Sequence, residues 1–127
     1  MSGFTPAVLG QMKRRSRGIC EGCGLAEATE AHHRQYRSRG GSDLIENALH
    51  LCGWGNHTGC HGIAHTAAGE AHGWSVRSGH NPILVPVMMR VVLAERWVKL
   101  TADGGLEQVS EFDAIEHLVL IGARKAA

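Results

Sequence analysis

The spacing of the cysteines and histidines limits this chain more than any other feature. All four cysteines fall between residues 20 and 60, and six of the nine histidines between residues 20 and 65. Cys20 and Cys23 form a C-x2-C pair, and Cys52 and Cys60 a wider C-x7-C pair. A tight turn aims both sulfurs of the first pair the same way. Gly53, Gly55 and Gly59 let the second loop fold back until its sulfurs meet. Four thiolates complete a tetrahedral shell for structural zinc. Two other readings use the same residues: four separate buried thiols, or a redox dithiol, which would need a thioredoxin-like βαβ context that the flanks lack. His57 could also replace Cys52 or Cys60 as fourth ligand.

With the sulfurs assigned to one ion, the histidines are left over. On a strand His32 and His33 point to opposite sides, and on a helix His61 and His65 lie one turn apart on one face. Three imidazoles, His32, His61 and His65, could then converge on a second ion while His33 faces water or substrate as a general base. His72, His80 and His117 lack such company and read as solvated. His50, alternating with Leu49 and Leu51, reads as the solvent side of a strand.

A chain of 127 residues suits one domain with a small core. With aromatics at 5% and 17 glycines, a metal staple would help it fold. The start "MSGFTPAVLG" has no signal-peptide pattern and no apolar run approaches a membrane span, so a cytoplasmic setting is expected, where cysteines serve as ligands more often than as disulfides. Net charge is only +1, yet residues 1–40 hold seven Lys/Arg (Lys13, Arg14, Arg15, Arg17, Arg34, Arg37, Arg39) against three acids. Such a patch can meet a polyanion, although a charge run is often no more than a solvated face.

Thr5 and Pro6 predict the N-cap and first position of a basic helix ending near Gly18. A knuckle turn at Cys20–Cys23 leads into a short strand ending at His33. "RSRGGSDLIEN" reads as a loop, "ALHLC" as a strand, and "CHGIAHTAAGEAHG" as one helix ending at Gly69 or Gly73. The β-branched "PILVPVMMRVVLAERWVKL" and the Asp-Gly-Gly of "TADGGLEQV" predict a hairpin. Ser110 and Asp113 predict the cap of a last helix with an apolar stripe at Phe112, Ile115, Leu118 and Val119.

The succession "CEGC", "AHHR", "GG", "ENALHLC" and "CHGIAH" resembles the HNH endonuclease family, strongly over residues 20–65. "GWSVRSGHNP" and the apolar segment after it resemble, more loosely, the tails of small phage-encoded members. The resemblance implies an α+β fold: a ββα-metal (HNH, His-Me finger) core with a structural zinc knuckle, plus a C-terminal β hairpin and helix. One nuclease domain over residues 1–127 would comprise a basic helix (1–19), the zinc-stapled core (20–69) and the hairpin with its helix (82–127). The three motif letters fall on His33, Asn47 and His61. His33 would be the general base. Asn47 would bond backbone in the Arg37–Asn47 loop and hold His33; its bland alternative is an ordinary turn asparagine. His32, His61 and His65 would hold one catalytic divalent cation (Mn2+, Ni2+, Mg2+ or Zn2+), and Cys20, Cys23, Cys52 and Cys60 the structural Zn2+. Lys13, Arg14, Arg15, Arg17, Arg34, Arg37 and Arg39 would contact DNA phosphates, with Arg34 also a candidate clamp on the transition state.

This chain departs from the family pattern in two places. The second cysteine pair is normally C-x2-C, and position 32 is often Asp. Three neutral imidazoles favour Mn2+ or Ni2+ over Mg2+, which prefers oxygen. The expected function is metal-dependent cleavage of DNA phosphodiester bonds. The alternatives are a non-catalytic zinc-stabilised DNA-binding module and an accessory to phage DNA packaging with packaging proteins as partners, located in the host cytoplasm if phage-encoded.

Overall fold

A computed structural model describes residues 3–55, 57–91 and 94–126. Helix α1 (Pro6–Ser16) starts where the Thr5 hydroxyl accepts the Val8 N–H, and Lys13, Arg14 and Arg15 occupy its last turn. These cations suit the negative end of the helix dipole. Strands β1 (Glu30–His33) and β2 (Ala48–Leu51) pair antiparallel, with His32 opposite Leu49 and His33 opposite Ala48. The long connection between them, residues 34–47, is kept tight by Gly41, where a Cβ would lie 1.7 Å from the Gln35 carbonyl oxygen.

The sequence predicts one helix after Cys60, and the structure has two. Helix α2 (Gly59–Ala64) ends at His65, and α3 (Ala67–Ala71) begins from a new cap, Thr66, whose hydroxyl accepts the Gly69 N–H. The same hydroxyl donates to the Ile63 carbonyl, so Thr66 closes one helix and opens the next. The C-terminal part is a three-stranded meander rather than a hairpin: β3 (Val87–Val91), β4 (Ala94–Leu100) and β5 (Leu106–Val109), in the order β3-β4-β5. Val91 pairs with Ala94. No Gly, Pro, Asn or Asp marks that reversal in the sequence, and residues 92 and 93 of the predicted β-branched run lie outside the described residues.

Helix α4 (Glu111–Leu120) takes its cap from Ser110, whose hydroxyl accepts the Asp113 N–H. Its buried stripe is Ala114 and Leu118, with Ile115 and Ile121 packed beside them. Phe112 does not belong to that stripe. It sits two residues before Ala114, on the opposite face, and is 74% exposed. One buried cluster joins Cys20 and Cys60 to Leu49, Leu51, Trp74, Val87, Trp97 and Leu118, so sheet, knuckle and α4 share a core. A second cluster (Phe4, Met12, Ile45, Ala48) seats α1 on the β1–β2 pair.

Two arginines expected at a DNA surface are instead internal. Arg34 is fully buried. Its guanidinium donates to the carbonyls of Gly73, Glu46, Pro82 and Val85 at 2.9–3.1 Å. Burial, with repulsion from Arg15, pulls its pKa down to about 9, which leaves it charged at neutral pH. Arg15 pairs with buried Glu21 at 2.7 Å and donates to the Ala48 carbonyl. Neither can reach a phosphate, and Arg34 cannot clamp a transition state. His50 does not face solvent from its strand either: it is buried, its Nδ1 shares a 2.7 Å hydrogen bond with Ser16 Oγ, and its backbone N–H donates to Glu21. His72 is half-buried against Trp74 rather than solvated, and its Nδ1 has no hydrogen-bond partner among the described residues.

Arg34→Met would remove the side-chain donor from four carbonyls, of which, among the described residues, only that of Pro82 keeps another, the Val85 N–H. Unfolding in urea should show a loss of about 3 kcal/mol or more, whereas exposed Arg37→Ala should stay within about 0.5 kcal/mol of the parent. Equal stability of the Arg34 variant would show that these bonds contribute little.

Candidate metal centres

The sulfurs of Cys20, Cys23, Cys52 and Cys60 lie within 4.8 Å of one another, a set able to hold a metal ion and consistent with structural zinc. The knuckle supplies two of them: Cys20 N–H bonds the Ala26 carbonyl and Gly24 N–H the Cys20 carbonyl. The wide pair closes because the loop returns on itself. His61 N–H donates to the Cys52 carbonyl at 3.0 Å, and Cys60 N–H points at the Cys52 sulfur at 3.4 Å. Gly59 permits this approach: its φ is +61°, and a Cβ there would sit 2.6 Å from Gly53 Cα. His57 is exposed and lies outside the sulfur cluster.

The sulfurs perturb one another strongly. The hydrogen bond from Cys60 holds the Cys20 thiol down to about 4, and the same contact pushes Cys60 up. Burial raises Cys52. Four sulfurs this close cannot all ionise without a cation among them. A divalent ion that takes four thiolates removes the conflict.

A second set is made of histidines. The ring nitrogens of His32, His61 and His65 also lie within 4.8 Å of one another, and the ring centroids are 4.9–5.3 Å apart. His32 comes from the buried side of β1, His61 from α2, and His65 from the residue that ends α2, so the helix break leaves the pair of one-turn neighbours intact. His32 Nε2 lies 2.7 Å from the Trp74 carbonyl. A carbonyl only accepts, so that nitrogen carries the proton and Nδ1 keeps its lone pair. His61 Nδ1 and His65 Nε2 are buried without any hydrogen-bond partner among the described residues. Burial pulls the pKa of His32 down to about 3 and lowers His61 and His65 as well. The set is therefore neutral at pH 7, the state that binds a metal, and its orphaned nitrogens fit one. Tyr36 stacks on His65 at 4.8 Å, and the Arg39 guanidinium lies 4.2 Å from the Tyr36 ring centre.

Compared with models of protein families, with curated proteins and with solved structures, the chain has no match. What it can do is read from its own groups.

His33 sits on the other side of β1 from His32. Its Nε2 lies 2.8 Å from Asp43 Oδ1, and its ring stacks on Phe4 with centroids 3.9 Å apart. Asn47 is fully buried; its amide donates to the Gln35 and Ser42 carbonyls and its oxygen accepts the Gln35 N–H. Those bonds span the loop between the strands, with Ser42 inside the expected Arg37–Asn47 segment and Gln35 just before it. Sequence reasoning misses Asp43 and Phe4. "GGSD" reads as turn chemistry, and nothing local to Phe4 signals a histidine 29 positions on. Of the seven basic residues, Lys13, Arg14, Arg17 and Arg37 are exposed and Arg39 half-exposed. No helix of the described residues is long and apolar enough to cross a membrane.

Purified without chelator, the protein should carry one tightly held zinc per chain by elemental analysis. Cys23→Ser should lose it and melt about 10 °C lower or more. A metal-free parent with an unchanged melting curve would remove the structural-zinc assignment.

Proposed function

We propose that the chain is a metal-dependent DNA endonuclease of the HNH type, with β1, β2 and α2 as its ββα-metal core. One observation carries the reading. His33, aligned by a carboxylate, leaves one side of a short strand, and His32 leaves the other to join His61 and His65, whose Nδ1 and Nε2, respectively, are buried without a hydrogen-bond partner among the described residues. A structural zinc module has no use for the second set. Nuclease chemistry needs both, a base for the attacking water and a cation for the phosphate.

His32, His61 and His65 would hold one divalent cation, which supplies positive charge against the phosphate oxygens as negative charge develops there. Because His33 Nε2 donates to Asp43, its Nδ1 presents the lone pair. His33 Nδ1 takes the proton from the water that attacks phosphorus. Breakage of the bond to the 3′ oxygen, which takes a proton from solvent water, then leaves 5′-phosphate and 3′-hydroxyl ends, as the family resemblance implies. Asn47 touches no substrate in this scheme; it holds the loop that carries Asp43. Lys13, Arg14, Arg17, Arg37 and Arg39 contact backbone phosphates, which gives affinity without sequence preference and weakens with salt.

A supercoiled plasmid incubated across divalent ions tests this. Nicking or linearisation is expected, faster with Mn2+ or Ni2+ than with Mg2+ at equal concentration. His33→Ala should lower the rate by about 10²–10⁴-fold while DNA binding and the melting curve hold. Full cleavage by that variant would remove His33 as the base. DNA binding with no cleavage under any ion would favour the non-catalytic module.

A further inference from the structure

The strand connection that joins β1 to β2 ends in a chain of contacts on one imidazole. Asn47, buried and bonded on both sides of its amide, ties the Ser42 carbonyl at 2.8 Å to the Gln35 backbone at 2.7 and 3.0 Å. The next residue after Ser42 is Asp43, whose Oδ1 meets His33 Nε2. Gly3 packs against the same carboxylate: a Cβ there would lie 3.1 Å from both Asp43 Oδ1 and Arg37 Nη1. Phe4 covers one face of the His33 ring at an interplanar angle of 11°. The ring is fixed in plane by Phe4 and in rotation by Asp43. The His33 side chain is 12% exposed and the Asp43 side chain 42%, so the pair sits at the protein surface with the carboxylate the wetter member.

We infer that Asp43 is a positioning residue for His33, held in place by Asn47, and that it fixes the imidazole as the Nε2–H tautomer with Nδ1 turned outward. The carboxylate accepts and cannot donate while ionised, so its partner nitrogen must carry the hydrogen. Without Asp43 the ring is free to flip by a half-turn about its Cβ–Cγ bond, which keeps the plane set by Phe4, and to exchange tautomers. The lone pair would then spend less time where a reacting water can use it. This assigns the motif asparagine its effect: Asn47 acts on the base through Ser42 and Asp43. The functional part of the inference rests on the nuclease reading, while the tautomer part does not.

Two measurements keep those parts separate. Long-range proton–nitrogen NMR of the His33 ring should show Nε2 protonated in the parent and a mixture of tautomers in Asp43→Asn. An Nδ1–H tautomer in the parent overturns the inference. In plasmid cleavage, Asp43→Asn should lower kcat by roughly 10- to 100-fold, a loss common for groups that orient an imidazole, with KM and melting curve unchanged. Asp43→Glu should recover part of it. Added to His33→Ala, the Asp43→Asn change should cost nothing more, including in activity restored by free imidazole. If it lowers that restored activity by the same factor, Asp43 acts on structure rather than on His33, and the inference fails. The expected tautomer in a parent that cleaves no DNA would uphold the pairing and overturn the nuclease reading instead.

Discussion

The peptide bond between Cys60 and His61 carries the main constraint on this molecule. Cys60 closes the sulfur cluster, and His61 begins the imidazole cluster. The His61 N–H is itself tied to the Cys52 carbonyl, so the start of α2 is held from both sides. Helix α2 is only six residues long, Gly59–Ala64. A helix that short has little stability of its own, and its position must come from its surroundings. A four-sulfur centre at its first turn provides that position. The aim of His61, and of His65 one turn later, follows from the placing of the sulfur cluster at the neighbouring residue.

The opposite wall of the imidazole cluster depends on a different device. β1 places His32 inward and His33 outward by strand alternation alone, but two paired strands of four residues are marginal. Arg34, immediately after them, takes four carbonyls from three separate segments and is fully buried. Its fork geometry, with donors fixed in one plane, suits convergent carbonyls better than a lysine would. The Arg15–Glu21 pair performs a similar service for α1, linking it to the knuckle and to β2. Cations that look in the sequence like a polyanion surface are partly spent on assembling the site.

That division explains what the sequence disclosed. Cysteine and histidine spacing was legible because few residue types bind metals, and the two ligand sets follow from local periodicity: a turn, a strand and one helical step. The caps at Thr5 and Ser110 were legible for the same reason, since a cap acts within three residues. Arg34 and Arg15 were not, because their partners sit up to 51 residues away and a charge carries no local sign of the carbonyls that will surround it. His50 misleads on the same ground: strand alternation sends it outward, but α1 and the knuckle cover that side with Ser16 and Glu21. Phe112 fits a helical period, yet the sheet selects the stripe through Ala114 and Leu118. Asp43 belongs to a loop whose path is set by a buried asparagine and by Gly41, neither of which fixes direction in the sequence alone.

Two metal centres that share one stretch of chain while keeping their ligands apart are the central claim. Anomalous diffraction from crystals grown with zinc and manganese, recorded at both absorption edges, measures this directly. It should show zinc among the sulfurs of Cys20, Cys23, Cys52 and Cys60, and a separate ion among the imidazoles of His32, His61 and His65. A single ion bound by a mixture of sulfur and imidazole, or no ion at the histidines at any concentration, would contradict it.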